Sequence, residues 1–330
     1  MKVHRLDRRE RKHMHRALLE GEPIDLELWN APAPEVRLDD IVPLCHRVQT
    51  WDRRLTASLE AFLPPGAEPG HPARVSVIIP SHRRVPWGLC ALAAQDVEVE
   101  ILVIDNGPEP LQGENLPLAR VLRLPWQGHG PTRQQAVQHA TGDYVFFTVD
   151  DAIPCGAGFL RSLVVALEDG DYDAISARQL PWPDSDPVTT RRLRAWTPPG
   201  HRHRVAEQVD HVAALYRRET LLAHPLPEVP IAEDLRWSQG RRVGYLPNAP
   251  VVHAHNRSPL ALFQRTRAIH GQHIAAGERP RVPSPLTVLG AAPSLLRPVL
   301  EAGPAELLNH GAELLGQLAA SWDARHRRDD

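Results

Sequence analysis

Short apolar runs, separated by segments of mixed polarity, begin at residue 74 and recur along the middle of the chain. Short, near-continuous apolar runs are typical of strands buried on both faces, as in a parallel sheet. Four such runs predict strands at 75–79, 101–104, 121–124 and 144–149.

The segments between these runs predict helices. Residues 86–95 separate the first two runs and residues 131–140 separate the last two, where Pro131 suits the first turn of a helix. Strands and helices alternating at this spacing predict an α/β fold, with a mostly parallel central sheet flanked by helices. The later elements predicted by the same pattern are a helix at 159–168, a strand at 174–178, an apolar run at 212–217, a helix at 234–242 and a strand at 251–255.

The two ends of the chain differ from this alternating region. We expect a helical extension and linker at 1–73, an α/β domain at 74–280 and a helical extension at 281–330. Within the α/β domain, residues 181–204 are polar and rich in arginine and proline. A segment of this length and composition is expected to form a mobile lid or a substrate loop.

Composition excludes several classes of protein. Lys and Arg total 38 against 40 Asp and Glu, a net charge of −2 that argues against a nucleic-acid binder. The three cysteines, without a CxxC motif, exclude a disulfide framework and fit a reducing compartment. The first 20 residues lack the apolar core of a secretory signal, and no run of about 18 apolar residues predicts a transmembrane helix. We therefore expect a cytoplasmic protein and leave peripheral membrane contact open.

Two adjacent carboxylates, Asp150 and Asp151, follow the most apolar of the predicted strands. Ligands bind at the carboxyl ends of strands in open parallel sheets, so the polar residues there are the first candidates for a site. Neighbouring carboxylates repel each other unless a cation or hydrogen-bond donors offset the repulsion. Mg²⁺ or Mn²⁺ carrying a diphosphate would do so. The alternative is that the pair caps the following loop and helix.

Polar residues also follow the first two predicted strands. Ser81 and Arg83 follow the first strand, and Asp105 and Asn106 follow the second. The Asp105 carboxylate could accept a hydrogen bond from a ligand hydroxyl or from the imide N–H of a base. An Asp-Asn-Gly turn needs no ligand, however, and from these residues alone the turn is favoured.

A glycine-bearing segment, 128–133, leads into the helix predicted at 131–140. Its backbone N–H groups and the guanidinium of Arg133 could bind a diphosphate. The segment is neither a Walker A loop nor a GxGxxG turn after the first strand, so the signal is weak. A second basic group, the arginines and histidines between 191 and 204, could close over phosphates or could be a solvated loop.

Two further pairs carry candidate chemistry. Glu233 or Asp234 could be the general base that removes a proton from an acceptor hydroxyl, although acidic residues are also common at helix N-termini. His253 and His255 are spaced so that both imidazoles face one side of a strand, which allows joint metal ligation. The alternative is a pair of histidines that are satisfied at a strand end.

The order of these motifs resembles that of the family 2 glycosyltransferases. The resemblance covers about residues 74–275, is strongest over 74–154, and looks most like the branch of bacterial rhamnosyltransferases and other cell-envelope glycosyltransferases. It implies the GT-A fold, the fold of nucleotide-diphospho-sugar transferases. The matching motifs are VSVIIP at 75–80, ILVIDN at 101–106, GDYVFFTVDDAIP at 142–154, EDLRW at 233–237, GYLP at 244–247 and VVH at 251–253.

The resemblance implies a role for each residue of the nucleotide side. Pro80 and Ser81 would lie under the nucleotide, and Asp105 would read the pyrimidine imide of a UDP- or dTDP-sugar. Arg133 would lie near the diphosphate. The other residues expected to bind the donor are Arg83, Asn106 and Asp150.

The resemblance also implies the metal ligands and the base. Asp151 matches the metal-binding aspartate of the family, and His253 matches a histidine that completes the Mn²⁺ or Mg²⁺ site in some members. Asp234 matches the catalytic base, with Glu233 beside it. An inverting transfer of a hexose-type sugar follows, in which the base activates the acceptor hydroxyl for attack on the anomeric carbon.

Two positions depart from the family pattern. Val149 stands where the family usually has an acid that helps hold the ribose and the metal, and Gln134 stands where an Asn is common. The departure at Val149 supports an alternative, a degenerate GT-A domain that binds nucleotide or sugar without turnover. A sugar nucleotidyltransferase is disfavoured because its glycine-rich loop is missing after the first strand. A metallo-hydrolase built on His253 and His255 is disfavoured because no further histidine spacing supports it.

The expected partners follow from this assignment. They are a UDP- or dTDP-linked donor and a saccharide or lipid-linked saccharide acceptor, with no nucleic acid, and a homodimer is left open. The acceptor itself is not encoded in any motif, because acceptor pockets of this fold are built from variable loops.

Overall fold

The computed structural model of the protein describes residues 73–326 except 83, 114–115, 183–184, 230, 276–298 and 301–302. The predictions for the amino-terminal extension and for Arg83 lie outside the described residues. At the other end, the helical extension predicted at 281–330 is described at 299–300 and 303–326, and Ala305–His326 form a helix.

Nine strands among the described residues form one mixed sheet, in the order β3-β2-β1-β4-β8-β6-β9-β5, with β7 paired to β9. Strands β3, β2, β1 and β4 are mutually parallel, β8 is antiparallel to its neighbours, and β6 and β9 are parallel to each other. The strands are β1 (Arg74–Ser81), β2 (Glu98–Asp105), β3 (Arg120–Arg123), β4 (Tyr144–Thr148), β5 (Ile153–Pro154), β6 (Ala174–Leu180), β7 (Arg204–Ala206), β8 (Ala213–Arg217) and β9 (Val243–Val252).

Helices cover both faces of this sheet, which confirms the predicted α/β class. Successive residues of β1 point to opposite faces, and both faces are apolar. Val77 and Ile79 pack in one core with Phe159, whereas Ile78 packs in the other with Val137. The helices are α1 (Leu89–Ala93), α2 (His129–Val137), α3 (Phe159–Asp169), α4 (Pro187–Trp196), α5 (Arg218–Ala223), α6 (Glu233–Ser238), α7 (Pro259–Ala275) and α8 (Ala305–His326).

The segment 181–204, which we expect to form a mobile lid or a substrate loop, is less irregular than its composition indicates, because α4 occupies its centre. Asp186 caps this helix by accepting a hydrogen bond of 2.7 Å from the backbone N–H of Thr189. Pro187 follows at the first helical position, where its missing N–H has no cost. Asp186 followed by Pro187 is a helix-start signal, but the arginine-rich composition of the segment did not lead us to predict a helix there.

The strand predicted at 251–255 also differs in its bounds. Strand β9 begins at Val243 and ends at Val252, so His253 and His255 lie just beyond its carboxyl end. The backbone N–H of His253 still donates to the carbonyl of Leu180, at 2.9 Å. The two histidines are therefore held at the same edge of the sheet as the polar residues that follow β1 and β4.

The carboxyl-terminal helix α8 packs on α7 and is ion-paired to α4. Glu306, which is fully buried, contacts both Arg191 and Arg192, and Glu313 contacts Arg192. Two arginines of the expected phosphate-binding cluster are thus engaged with carboxylates of α8. Within the described ranges, no helix has the length and apolarity needed to cross a membrane.

Candidate active site

The polar ends of β1 and β2 lie side by side. Ser81 is the register partner of Asp105, and its hydroxyl donates to Asp150 Oδ2 at 3.1 Å. The sheet therefore brings together the residues that follow β1, β2 and β4, as expected from the sequence.

The Asp105 carboxylate is buried and occupied by its own loop. It accepts hydrogen bonds from the backbone N–H of Gly107 at 2.9 Å and of Leu111 at 3.2 Å. The Arg123 guanidinium donates to it at 3.0 Å. Asn106 donates its side-chain amide to the carbonyl of Leu124 at 2.7 Å. These contacts stabilise the turn that the sequence favoured, and the base-reading role of Asp105 remains a prediction.

Asp150 and Asp151 lie in the turn after β4, beside the guanidinium of Arg84. Arg84 Nε is 3.6 Å from Asp150 Oδ2, and its Nη1 is 4.0 Å from Asp151 Oδ2. Burial raises the pKa of Asp150, the charge of Arg84 lowers it, and the neighbouring Asp151 raises it further. The two carboxylates share one arginine at the edge of the site.

Asp151 faces both histidines that follow β9. His253 Nε2 lies 3.6 Å from Asp151 Oδ1, and His255 Nε2 lies 3.6 Å from Asp151 Oδ2. One ligand atom from each of these three residues lies within 4.8 Å of the other two. We call Asp151, His253 and His255 the metal triad.

The protonation of His253 follows from its neighbours. Gln179 Nε2 donates to the carboxylate of Asp210 at 2.8 Å, which turns Gln179 Oε1 towards His253 Nδ1, 3.0 Å away. An amide oxygen can only accept, so His253 Nδ1 carries the proton and Nε2 presents a lone pair. Burial lowers the pKa of His253 to about 4, which keeps the ring neutral near pH 7.

This arrangement fits a divalent cation. The lone pair of His253 Nε2 faces an oxygen of Asp151 with no hydrogen to share between them, and a cation between the two atoms would satisfy both. Neutral imidazole nitrogens and a carboxylate are ligands of Mn²⁺-type metals, and a hydrogen bond to the remote ring nitrogen is the usual way to orient such a histidine.

A buried ion pair joins α2 to α6 on the other side of the site. Arg133 Nη1 donates to Glu233 Oε1 at 3.1 Å, and both side chains are 6% exposed. The close approach requires a glycine at position 130, since a Cβ there would lie 2.6 Å from the carbonyl oxygen of Pro227. The glycine-bearing segment therefore has a packing role, and the diphosphate role of Arg133 remains a prediction.

His211, which sequence reasoning missed, connects this ion pair to the core. Its Nδ1 lies 3.0 Å from Glu233 Oε1, and its Nε2 lies 2.7 Å from the hydroxyl of Tyr216. Burial alone would raise the pKa of Glu233, but the hydrogen bond with His211 and the charges of His211 and Arg133 outweigh it and lower the pKa to about 2. Glu233 is thus a buried, ionised anchor. No short motif surrounds His211, so only the fold reveals its place.

Asp234, the predicted base, is the second residue of α6 and follows this anchor directly. Its carboxylate accepts from the backbone N–H of Leu235 at 2.8 Å and of His211 at 3.4 Å. Burial raises its pKa, and the negative charges of Asp210 and Glu233 act in the same direction against the charge of His211. A carboxylate whose pKa is raised from the ordinary value is a better proton acceptor, as a general base requires.

The remaining predicted positions lie within regular elements or contact other side chains. Pro80 is the penultimate residue of β1. Gln134 hydrogen-bonds the carbonyl of Leu221 at 3.2 Å and the backbone N–H of Leu226 at 2.9 Å, so it holds the loop that precedes α6. His203 contacts Asp169 at 2.7 Å, and the guanidinium of Arg204 stacks over a tyrosine ring.

Comparison with known proteins supports the family that the motifs indicated. Residues 76–219 match the model of glycosyl transferase family 2. The chain is therefore a glycosyltransferase, as its motifs indicated. The family match and the mixed sheet flanked by helices together confirm the predicted GT-A fold.

Individual relatives are more distant. The O-antigen chain rhamnosyltransferase RfbN of Salmonella typhimurium is 26% identical, with the match covering 58% of this chain and 70% of that protein. Mannosyltransferase PcManGT from Pyrobaculum calidifontis, solved with GDP-Man and Mn²⁺, is 20% identical over 78% of this chain and 77% of its own, with a TM-score of 0.48. TarS 1–349 of S. aureus, solved with UDP-GlcNAc, is 16% identical over 77% and 92% of the two chains, with a TM-score of 0.39.

Proposed function

We propose that this glycosyltransferase moves a hexose-type sugar from a UDP- or dTDP-linked donor to an acceptor hydroxyl, with inversion at the anomeric carbon and assistance from Mn²⁺ or Mg²⁺. The observation that carries the proposal is the arrangement of the metal triad and Asp234 at one edge of the sheet. A ligand set for a diphosphate-bound cation and a carboxylate of raised pKa are the two parts that such a transfer needs.

In this proposal the nucleotide lies over the ends of β1 and β2, near Pro80, Ser81, Asp105 and Asn106. The metal triad would hold the cation, whose charge would offset that of the departing diphosphate. Asp150 would lie beside the diphosphate and the sugar. Its pKa is raised chiefly by burial.

Asp234 takes the proton from the acceptor hydroxyl, and the resulting oxygen attacks the anomeric carbon from the face opposite the nucleotide. The bond from that carbon to the diphosphate oxygen breaks, and the diphosphate leaves with the bonding electrons. Glu233 positions Asp234 through its ion pair with Arg133 and touches no reacting atom. The rhamnosyltransferase among the relatives directs the first donor trials to an activated rhamnose.

The experiment compares Asp234→Asn with the parent enzyme in transfer and in donor hydrolysis. We expect kcat to fall by about 10²–10⁴-fold, the usual contribution of a general base, with nucleotide affinity unchanged. Asp169→Asn is the matched control, because the Asp169 carboxylate is exposed and contacts the imidazole of His203, at 2.7 Å. Unchanged turnover in Asp234→Asn would remove Asp234 from the role of base. Tight nucleotide binding without turnover in the parent enzyme would favour the alternative suggested by Val149, a degenerate domain that binds nucleotide without catalysis.

A further inference from the structure

A cavity of about 320 Å³ opens beside the metal triad, and the residues that line it lie outside β1 and β2. His253 and His255 line this cavity together with residues of helices α4 and α7. Neither Ser81 nor Asp105 lines it. The cavity is therefore continuous with the metal triad but separate from the strand edge at which we place the nucleotide.

Two guanidinium groups, those of Arg257 and Arg265, line this cavity. Within the described ranges, neither has a hydrogen bond or an ion pair with a carboxylate. Other arginines nearby are paired: Arg192 contacts Glu306 and Glu313, and Arg267, on the same helix as Arg265, contacts Asp323 at 2.7 Å. Two guanidinium groups without a carboxylate partner in the described ranges and two histidine side chains thus line the same cavity.

The acidic side chain that lines this cavity already has other hydrogen-bond donors. Asp210 also lines the cavity, but its carboxylate already accepts hydrogen bonds from Gln179 at 2.8 Å and from the Trp196 indole at 3.0 Å. Its other oxygen accepts from the backbone N–H of Val212 at 3.0 Å. Arg257 is half-buried, and it lies within electrostatic reach of Arg265 as well as of Asp210 and Asp151. Two neighbouring guanidinium groups in this setting repel each other unless an anion binds between them.

We propose that Arg257 and Arg265 bind a phosphate group of the acceptor substrate. A guanidinium presents paired N–H donors that match the oxygens of a phosphate. Two guanidinium groups also balance the two negative charges of a phosphate dianion, whereas a neutral ligand would leave their positive charges unbalanced. The amino-terminal end of α7, which begins two residues after Arg257, adds a favourable field for an anion.

The position of the pair favours the acceptor over the donor as the source of the phosphate. The donor diphosphate is already accounted for by the metal triad, whereas the arginines line a separate cavity that also contains Asp210. His211, the residue after Asp210, donates its backbone N–H to the Asp234 carboxylate at 3.4 Å, so this cavity lies on the side of the base. This inference rests on the proposed function and assigns a phosphorylated class of acceptor, such as a lipid-linked saccharide phosphate.

Calorimetric titration tests the assignment with inorganic phosphate as the probe. The protein is first titrated with UDP or dTDP and Mn²⁺, which tests the donor site by itself. The nucleotide- and metal-saturated protein is then titrated with inorganic phosphate. The parent protein is compared with the Arg257→Gln/Arg265→Gln double variant, and Arg267→Gln on the same helix is the matched control.

We expect phosphate to bind to the parent protein and to Arg267→Gln in the presence of the nucleotide, and to bind at least tenfold more weakly to the double variant. Equal phosphate affinity in all three proteins would overturn the assignment. Competition between phosphate and the nucleotide in the parent protein would also overturn it, because the arginines would then serve the donor diphosphate. Failure of nucleotide binding in the first titration would instead count against the proposed function.

Discussion

Arg133 and Glu233 form a buried ion pair of 3.1 Å although 100 residues separate them in the chain. The pair joins the first turn of α6, which carries Asp234, to the helix α2 that packs on the parallel half of the sheet. His211 Nδ1 contacts the same oxygen of Glu233, at 3.0 Å. The position of the proposed base therefore depends on a small, buried network of charges.

Breaking this ion pair from one side should destabilise the protein strongly. We expect Arg133→Met to lower the free energy of unfolding by about 3–5 kcal/mol, because it leaves the Glu233 carboxylate buried without its guanidinium partner. The double variant Arg133→Met/Glu233→Gln should lose less than the sum of the two single variants. Urea unfolding of the four proteins measures this coupling, and additive losses would show that the pair contributes no coupling energy.

Glu233 should also make stability depend on acid pH. Its pKa is lowered from 4.5 to about 2, so between these two pH values the unfolded chain binds a proton that the folded protein does not. The stabilising contribution is complete above about pH 4.5 and is lost as the pH falls towards 2. The free energy of unfolding is measured with urea at pH 5.5 and at pH 3. Its decrease between these two pH values should be smaller for Glu233→Gln than for the parent. The exposed residue Glu109 supplies the control Glu109→Gln, and an unchanged difference in Glu233→Gln would contradict the lowered pKa.

His211 should act as a positioning residue for transfer. His211→Phe removes the hydrogen bonds to Glu233 and to Tyr216, so we expect kcat to fall about tenfold while KM for the donor stays constant, since the loss concerns only the orientation of the base. Tyr216→Phe removes only the hydroxyl behind the ring and should have a smaller effect. A change in donor KM alone would place His211 in donor binding instead.

The orientation of His253 by Gln179 should be measurable in metal affinity. Gln179→Leu keeps all three members of the metal triad but removes the acceptor for His253 Nδ1, and we expect it to weaken Mn²⁺ binding by about 10–100-fold. His253→Ala should weaken binding at least as much. His224→Ala, at an exposed histidine, is the control in the same calorimetric titration. Equal Mn²⁺ affinity in Gln179→Leu and the parent would show that Gln179 does not orient a metal ligand.

Local sequence patterns were sufficient to predict the strands of the parallel half of the sheet. The apolar runs that became β1, β2 and β4 are buried on both faces, so their signal is continuous and independent of distant residues. The same patterns indicated Asp151 and His253, because residues that follow parallel strands meet at one edge. Helix α4 was missed because its signal is a single cap and a proline within a polar segment.

The network around the proposed base could not be predicted in the same way. The contact of Arg133 with Glu233 and the place of His211 depend on how α2, α6 and β8 pack together, and no short motif specifies such packing. Residue types alone suggested a diphosphate ligand at Arg133, whereas the fold gives its guanidinium a buried carboxylate partner. Long-range ion pairs of this kind become visible only in three dimensions.

Metal-dependent nucleotide binding is the decisive test of the proposed donor site. Melting temperatures are measured with UDP, dTDP, GDP and CDP, each with and without Mn²⁺, for the parent protein and for Asp151→Asn. A ligand at 100 times its Kd adds about 2.7 kcal/mol to the free energy of unfolding, which is enough to raise the melting temperature by several degrees. We predict that UDP or dTDP with Mn²⁺ produces this rise in the parent and not in Asp151→Asn. No rise with any nucleotide, or an equal rise in Asp151→Asn, would contradict the account.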